Sequence, residues 1–126
     1  MLINELTHYL STILNSADIP DYTPNGLQIA GVKNVQALIT GVTASQALID
    51  VAIAKKADAL LVHHGYFWKN EDPCLVGMKQ KRIKALLDNE INLIAYHLPL
   101  DQHPVFGNNV QLAKLLNLQI THELQD

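Results

Sequence analysis

The sequence predicts an α/β fold with a mostly parallel sheet flanked by helices. Short apolar runs typical of strands alternate along the chain with amphipathic segments typical of helices, and this alternation favours parallel strands joined by helices. The 126 residues, 48% of them hydrophobic, suffice for one domain with its own core. The sequence contains no internal repeat, low-complexity tract or linker, so we expect one α/β domain over residues 1–126.

The chain is predicted to open with a helix, a loop and a short strand. Apolar residues recur at three- and four-residue spacing over residues 2–14, which indicates an amphipathic helix. Residues 18–26 are predicted to be loop, because they carry two prolines and an Asn25-Gly26 pair suited to positive φ. The apolar residues within 27–30 indicate a short strand.

A strand, a helix and a second strand are predicted next. The β-rich run 35–42 predicts a buried strand. Thr43 is followed three residues later by Gln46, which is the spacing of a capping box, and the helix that it opens is expected to reach about residue 56. The apolar run 59–63 then predicts another core strand.

The second half is predicted to continue the alternation. Residues 76–89 have the pattern of a helix, and residues 91–96 that of a third core strand. Pro99 and Pro104 predict irregular chain after this strand, because proline disfavours helix at the residue before it. Asn108 is expected to cap a last helix.

Charge and composition narrow the class of partner. The net charge of −3 gives no electrostatic basis for binding nucleic acid, which favours strongly basic surfaces. Cys74 is the only cysteine, so neither an internal disulfide nor a cysteine-rich zinc site can form. The N-terminus has no apolar signal core, and no segment approaches the ~18 apolar residues of a membrane span. We therefore expect a cytoplasmic protein without a membrane partner, and nucleic acid is disfavoured.

Three histidines follow two neighbouring predicted strands. His63 and His64 end the strand that begins at residue 59, and His97 ends the strand 91–96, with Asp101 four residues further on. Open α/β sheets hold their ligands in the crevice beyond the carboxyl ends of the strands. Two strand ends that deliver three imidazoles and a carboxylate indicate a divalent metal site, and this donor set suits Zn, Fe, Mn, Co or Ni.

Two arrangements of the adjacent histidines remain open. Consecutive residues on a strand point to opposite faces, so His63 and His64 share a site only if the backbone turns after them, which Gly65 makes easy. Alternatively, the rings diverge and each binds one of two metal ions that lie about 3.5–4 Å apart. A third interpretation is that these are ordinary polar residues, but their adjacency favours metal binding. The remaining histidines lack this context and are interpreted as ordinary residues: His8, His103 and His122.

The aromatic trio that follows Gly65 also has two interpretations. Tyr66, Phe67 and Trp68 come directly after the paired histidines. Aromatic rings beside a metal site could stack on a purine or a pterin-like ring. Core packing or an oligomer interface is at least as well supported, because large rings are common in both.

Four segments of the chain carry recognisable motifs: residues 21–28 (DYTPNGLQ), 40–45 (TGVTAS), 62–69 (VHHGYFWK) and 97–101 (HLPLD). They closely resemble the YbgI-like proteins, which are also described as the NGG-interacting-factor-three-like family and commonly carry the name type 2 GTP cyclohydrolase I. The resemblance covers essentially the whole chain, and the double histidine together with His-x-x-x-Asp is specific to the family.

The resemblance implies an α/β fold that binds two divalent metals per subunit. It also implies a toroidal homo-hexamer whose metal sites face an internal cavity. Carried over by motif, the metal ligands are His63, His64 and Asp101. His97 is implied to be a nearby group that orients Asp101 or a metal-bound water, and the segment Asn25-Gly26 is implied to line the same cavity.

Members of this family are about twice as long as the present chain. Their second half supplies a His-x-x-x-Glu pair that completes the dinuclear site, whereas no histidine here is followed four residues later by glutamate. We therefore expect the chain to correspond to the N-terminal half of the family architecture.

The function expected from residues and resemblance together is metal-dependent hydrolysis of a small-molecule, GTP-like substrate. A divalent ion would activate a water molecule, and His97 would carry the proton. The alternative is a non-catalytic metal-binding protein, such as a metal carrier, an insertion factor or a ring-shaped regulatory scaffold. The sequence has no P-loop-type glycine loop that would select GTP.

Overall fold

A computed structural model of the chain describes residues 1–122 and confirms the predicted α/β class. The elements, in chain order, are α1 (Ile3–Ile13), β1 (Gly26–Ile29), β2 (Leu38–Thr43), α2 (Gln46–Ala54), β3 (Ala59–His64), α3 (Gly77–Asp88), β4 (Asn92–Ala95), α4 (Leu98–Asp101) and α5 (Asn108–Leu115). No helix within the described residues is long and apolar enough to cross a membrane.

The sheet has four strands in the order β1-β4-β3-β2. The pairs β2–β3 and β3–β4 are parallel, and β1 lies antiparallel on the edge of β4, so the mostly parallel sheet is confirmed. The register of β3 and β4 pairs Ala59 with Asn92 and Val62 with Ala95. Because the two strands run side by side in the same direction, their carboxyl ends meet at one edge of the sheet, where the histidines follow.

Helices cover both faces of the two central strands. Alternate residues of β3 and β4, such as Leu60 and Leu93, pack with Ile49 of α2 and Leu86 of α3. The residues between them pack on the other face with α1, as Ile94 does. Full burial of a leucine or isoleucine side chain contributes about 1.5–3 kcal/mol. A strand that is buried on both faces has a largely apolar sequence, and the apolar residues 93–95 are why the sequence predicts β4.

The prediction of a buried strand over residues 35–42 was wrong in its burial and its bounds. The strand β2 begins at Leu38 and occupies the sheet edge, where Leu38 is 40% exposed and Val42 68% exposed. The predicted Thr43 cap of the next helix was also wrong, because α2 begins at Gln46. Ser45 is the N-cap, and its Oγ accepts a hydrogen bond from the N–H of Leu48.

The prediction of irregular chain after β4 was also wrong. Residues Leu98–Asp101 form a one-turn helix, α4, with Pro99 in its first turn. Proline is tolerated there because the first turn of a helix has no intrahelical partner for its N–H groups. The last helix is present, but its N-cap is Gly107 and Asn108 is its first residue.

Candidate metal centre

The structure brings the three predicted histidines together. Ring nitrogens of His63, His64 and His97 lie within 4.8 Å of one another. The ring centroids of His63 and His64 are 4.4 Å apart, and those of His63 and His97 are 5.0 Å apart. The rings therefore face one shared volume, which is the first of the two arrangements left open for the adjacent histidines. Three imidazole nitrogens at this spacing are a donor set that could hold a divalent transition metal.

Gly65 follows the two histidines at a point where the chain has no room for a side chain. A Cβ atom at this position would overlap the Gln28 side chain and press on the Cβ of Ala95. Gln28 reaches the same place because its Oε1 accepts the Tyr66 N–H at 2.7 Å, while its Nε2 donates to the Tyr66 carbonyl at 3.1 Å. Where the chain leaves β3, residues of β1 and β4 therefore leave no room for a side chain at position 65.

His63 is oriented by a backbone carbonyl. Its Nδ1 lies 3.0 Å from the carbonyl oxygen of Tyr96. A carbonyl oxygen only accepts hydrogen bonds, so Nδ1 carries the proton. The other nitrogen, Nε2, lies 3.5 Å from Oδ2 of Asp101. The His63 ring therefore presents its unprotonated nitrogen toward the carboxylate side of the cluster.

His64 favours the neutral form that binds metal. Its Nδ1 lies 3.3 Å from the hydroxyl of Thr43 at the end of β2. Burial lowers the pKa of His64, the neighbouring rings of His63 and His97 lower it further, and Asp101 acts in the opposite direction. Because only neutral imidazole can coordinate a metal, this lowered pKa suits the ring to ligation.

His97 is held on two sides by the loop before β1. Its backbone N–H donates to Oδ1 of Asn25 at 2.8 Å, and its Nδ1 lies 3.1 Å from Oδ1 of Asp21. The Asp21 side chain is 3% exposed and also accepts from Asn25 and from the Leu98 N–H. Burial raises the pKa of Asp21, but the hydrogen bonds that it accepts outweigh burial and leave the pKa below its ordinary value.

Asp101 borders the cluster from α4. Its Oδ2 faces Nε2 of His63, and its Oδ1 accepts a hydrogen bond of 2.6 Å from Nδ2 of Asn108. The carboxylate therefore lies beside the histidines with one oxygen held by a neighbour and the other directed at the cluster.

A cleft of about 610 Å³ opens next to Asp101, and Val110 and Ile120 are among its lining residues. It reaches the site only at Asp101, since none of the three clustered histidines lines it.

The aromatic trio divides among three environments. Tyr66 belongs to the core, where its hydroxyl donates to the carbonyl oxygen of Ala44 at 2.6 Å, and burial raises its pKa to about 12. Phe67 is exposed on the loop, with Nζ of Lys79 5.5 Å from its ring centroid. Tyr66 is thus explained by core packing, and Trp68 is the one member of the trio that lies beside the histidines.

Trp68 and Tyr22 form an aromatic wall beside the histidines. The Trp68 ring centroid lies 5.0 Å from that of His97 and 5.9 Å from that of His64. Tyr22, from the loop before β1, lies 5.8 Å from Trp68 and meets His97 edge-on at 5.1 Å.

Sequence reasoning missed several polar contributors to this site, among them Asp21, Gln28 and Asn108. Asp21 and Gln28 lie within the segment 21–28 that carries the family resemblance, yet neither is assigned a role by the sequence. Asn108 is indicated there only as a helix cap. The signal available for Asp21 was its position in that segment, since its partners His97 and Leu98 lie more than seventy residues away.

The other histidines lie outside the cluster. His103 is structural, because its Nε2 lies 3.1 Å from the Ile13 carbonyl and its Nδ1 accepts the N–H groups of Val105 and Phe106. His8 and His122 are exposed.

Comparison with known proteins gives a consistent set of relatives. Residues 1–126 match the family model described as Duf34/NIF3 (NGG1p interacting factor 3). A Pasteurella multocida protein named GTP cyclohydrolase 1 type 2 homolog is 60% identical over 121 residues, which cover 96% of this chain and 48% of that protein.

Solved structures show the same relationship. The protein ybgI, described as of unknown function, superposes with a TM-score of 0.96 at 56% identity, covering 98% of this chain and 50% of that one. The protein TTHA1606 from Thermus thermophilus superposes with a TM-score of 0.87 at 41% identity, covering 94% of this chain and 49% of that one. The chain thus spans about half the length of the curated relatives it matches.

Proposed function

The chain belongs to the Duf34/NIF3 family, and from that premise we propose that it supplies the metal-binding half of a metal-dependent hydrolase acting on a nucleotide-like substrate. The observation that carries the proposal is the cluster of His63, His64 and His97, whose ring nitrogens lie within 4.8 Å of one another at the carboxyl ends of two parallel strands. Asp101 adds a carboxylate beside it.

In this proposal the metal ligands are His63, His64 and Asp101. The proton on Nδ1 of His63 leaves Nε2 free to ligate, and the lowered pKa of His64 keeps that ring neutral. Asp101 supplies the negative charge that balances a divalent cation. Imidazole and carboxylate donors suit Zn, Fe, Mn, Co or Ni, and they do not choose among these metals.

A divalent ion bound by His63, His64 and Asp101 would supply Lewis-acid activation of water, lowering its pKa toward about 7. The chain's own contribution to catalysis is His97, which lies close enough to the other two rings to accept the proton from that water. Trp68 and Tyr22 shield one side of His97 from solvent.

The proposed substrate is a GTP-like nucleotide, in keeping with the name of the Pasteurella multocida relative. In such a substrate the electrophilic atom is C8 of the purine, which the water would attack while His97 takes up the proton. The aromatic wall of Tyr22 and Trp68 provides rings of the kind against which a purine could stack.

A homo-oligomer, the toroidal hexamer of the family resemblance, is part of the proposal. The helix α5 supports it, because no residue of this helix is buried. Leu112 is 55% exposed, Leu115 84% and Leu116 59%, and the three lie close together in sequence. Contiguous exposed apolar surface of this kind marks an interaction site.

A non-catalytic metal carrier, insertion factor or scaffold is the second candidate. Among residues 1–122, no lysine or arginine makes a hydrogen bond or ion pair with the three histidines or Asp101. A site that binds a triphosphate ordinarily supplies such cations. This feature favours a protein that holds the metal without turning over a nucleotide.

Elemental analysis of the purified chain and of the double variant His63→Ala/His64→Ala tests the metal site. We expect bound divalent metal in the parent chain and its loss in the variant. The matched control is His8→Ala, which removes an exposed histidine that does not line the cleft beside Asp101 and should keep the metal. Equal metal in all three proteins would overturn the proposed site.

A GTP-consumption assay on the metal-loaded chain then separates the two candidates. Metal-dependent turnover that His64→Ala abolishes supports the hydrolase. Stoichiometric metal without turnover supports the carrier or scaffold.

A further inference from the structure

We propose that Asp21 is a positioning residue for His97, and that its carboxylate fixes the imidazole with the proton on Nδ1 and Nε2 presented to the histidine cluster. This role rests on the proposed function, in which His97 accepts a proton.

The Asp21 carboxylate is enclosed by four nitrogen atoms. Oδ1 accepts the backbone N–H of Tyr22 at 2.7 Å and lies 3.1 Å from Nδ1 of His97. Oδ2 accepts the backbone N–H of Leu98 at 2.8 Å and Nδ2 of Asn25 at 3.0 Å. A backbone N–H can only donate, so each oxygen is fixed as an acceptor. The side chain is 3% exposed and is thus shielded from competing water.

The tautomer of His97 follows from these contacts. An ionised carboxylate has no proton to give, so Nδ1 of His97 must be the donor in its contact with Oδ1 of Asp21. In the neutral ring, Nε2 then carries the lone pair. His63 has the same tautomer, but there the acceptor is the neutral carbonyl of Tyr96. A charged acceptor forms the stronger type of hydrogen bond, which suits Asp21 to hold a ring against rotation.

Asn25 offers a control that distinguishes positioning of the His97 ring from simple attachment of the loop. Asn25 also ties the loop to the end of β4, since its Oδ1 accepts the backbone N–H of His97. Only Asp21 contacts the ring of His97 by a hydrogen bond among the described residues. Removal of Asn25 therefore weakens the same turn while leaving the carboxylate–imidazole pair in place.

The test is long-range ¹H–¹⁵N NMR of the histidine rings in the metal-free chain. We expect wild-type His97 to carry its proton on Nδ1. In Asp21→Asn, one carboxylate oxygen is replaced by an NH₂ group, which then faces N–H donors. We therefore expect His97 to show a mixed or inverted tautomer. In the control Asn25→Ala, we expect Nδ1–H to persist even if thermal stability falls.

Two outcomes overturn the proposal. One is a wild-type His97 with its proton on Nε2, a result that needs no variant and so does not depend on Asp21→Asn folding. The other is an unchanged Nδ1–H tautomer in a folded Asp21→Asn.

Addition of Zn²⁺ to the same samples distinguishes this inference from the proposed function. We expect Zn²⁺ to shift the ring signals of His63, His64 and His97 in the wild type. If no ring responds while the tautomer of His97 depends on Asp21, the metal site fails and the positioning role stands.

Discussion

Nδ2 of Asn108 donates a hydrogen bond of 2.6 Å to Oδ1 of Asp101, across the bend that joins α4 to α5. The bend is tight, because a Cβ atom at Gly107 would collide with the carbonyl oxygens of His103 and Asp101. The side chain of His103 braces it further by accepting two backbone N–H groups of the bend. The geometry of the bend thus decides which way Asp101 faces and leaves its Oδ2 toward His63.

Asn108→Ala is expected to weaken divalent metal binding by about 10-fold, since loss of a group that orients a ligand typically costs 10–100-fold in affinity. The effect on unfolding should be small, about 0.5–1.5 kcal/mol for one hydrogen bond. Zn²⁺ titration calorimetry measures the metal affinity, and urea unfolding measures the free energy of unfolding. Asn109→Ala is the matched control, because Asn109 is the neighbouring exposed asparagine, whereas the hydrogen bond to Asp101 comes from Asn108. Equal affinity in both variants would show that Asp101 needs no support from Asn108.

Tyr66→Phe is expected to destabilise the fold by about 1–3 kcal/mol at neutral pH, because the buried carbonyl of Ala44 loses its donor. Urea unfolding at pH 7 measures this cost. Tyr9→Phe, at a side chain that is 57% exposed, should change stability little. If the two variants unfold alike, the hydroxyl of Tyr66 contributes nothing to stability.

The same tyrosine predicts a loss of stability at high pH. Its pKa of about 12 in the fold lies above the ordinary value of 10.0. A raised folded pKa favours the protonated form, so this contribution is complete below pH 10 and is lost as pH rises toward 12. Burial also raises the pKa of Tyr96, and Tyr66→Phe should therefore reduce the alkaline loss without abolishing it. An identical alkaline slope in wild type and variant would contradict the assignment.

The histidine cluster could be predicted from sequence because it depends on two regular features. Parallel strands place their carboxyl ends together, and the runs that end in His64 and His97 were apolar enough to identify. Asp21 could not be paired with His97 in this way, because the two residues lie 76 positions apart and meet through an irregular loop. The exposure of β2 was missed for a related reason, since the order of strands along the chain does not reveal which of them lies at the edge.

Leu115→Lys is expected to reduce self-association while leaving the fold intact. Leu115 is 84% exposed, so a charged side chain there should change unfolding by no more than about 0.5 kcal/mol. Sedimentation velocity over a concentration series measures association, and Lys114→Gln on the same helix is the control. If Leu115→Lys associates like the parent chain, the oligomer does not use this face of α5.

Trp68 provides a direct optical test of where the metal binds. It is the only tryptophan, and its ring centroid lies 5.0 Å from that of His97 and 5.9 Å from that of His64. An open-shell ion such as Co²⁺ quenches an indole at this range, whereas closed-shell Zn²⁺ does not. We therefore expect Co²⁺ to quench the fluorescence with saturation near the stoichiometry of the site, and Zn²⁺ to reverse the quenching by competition. In His64→Ala the saturable phase should disappear, while His8→Ala should retain it. Quenching that persists unchanged in His64→Ala would show that His64 is not a ligand of the quenching ion.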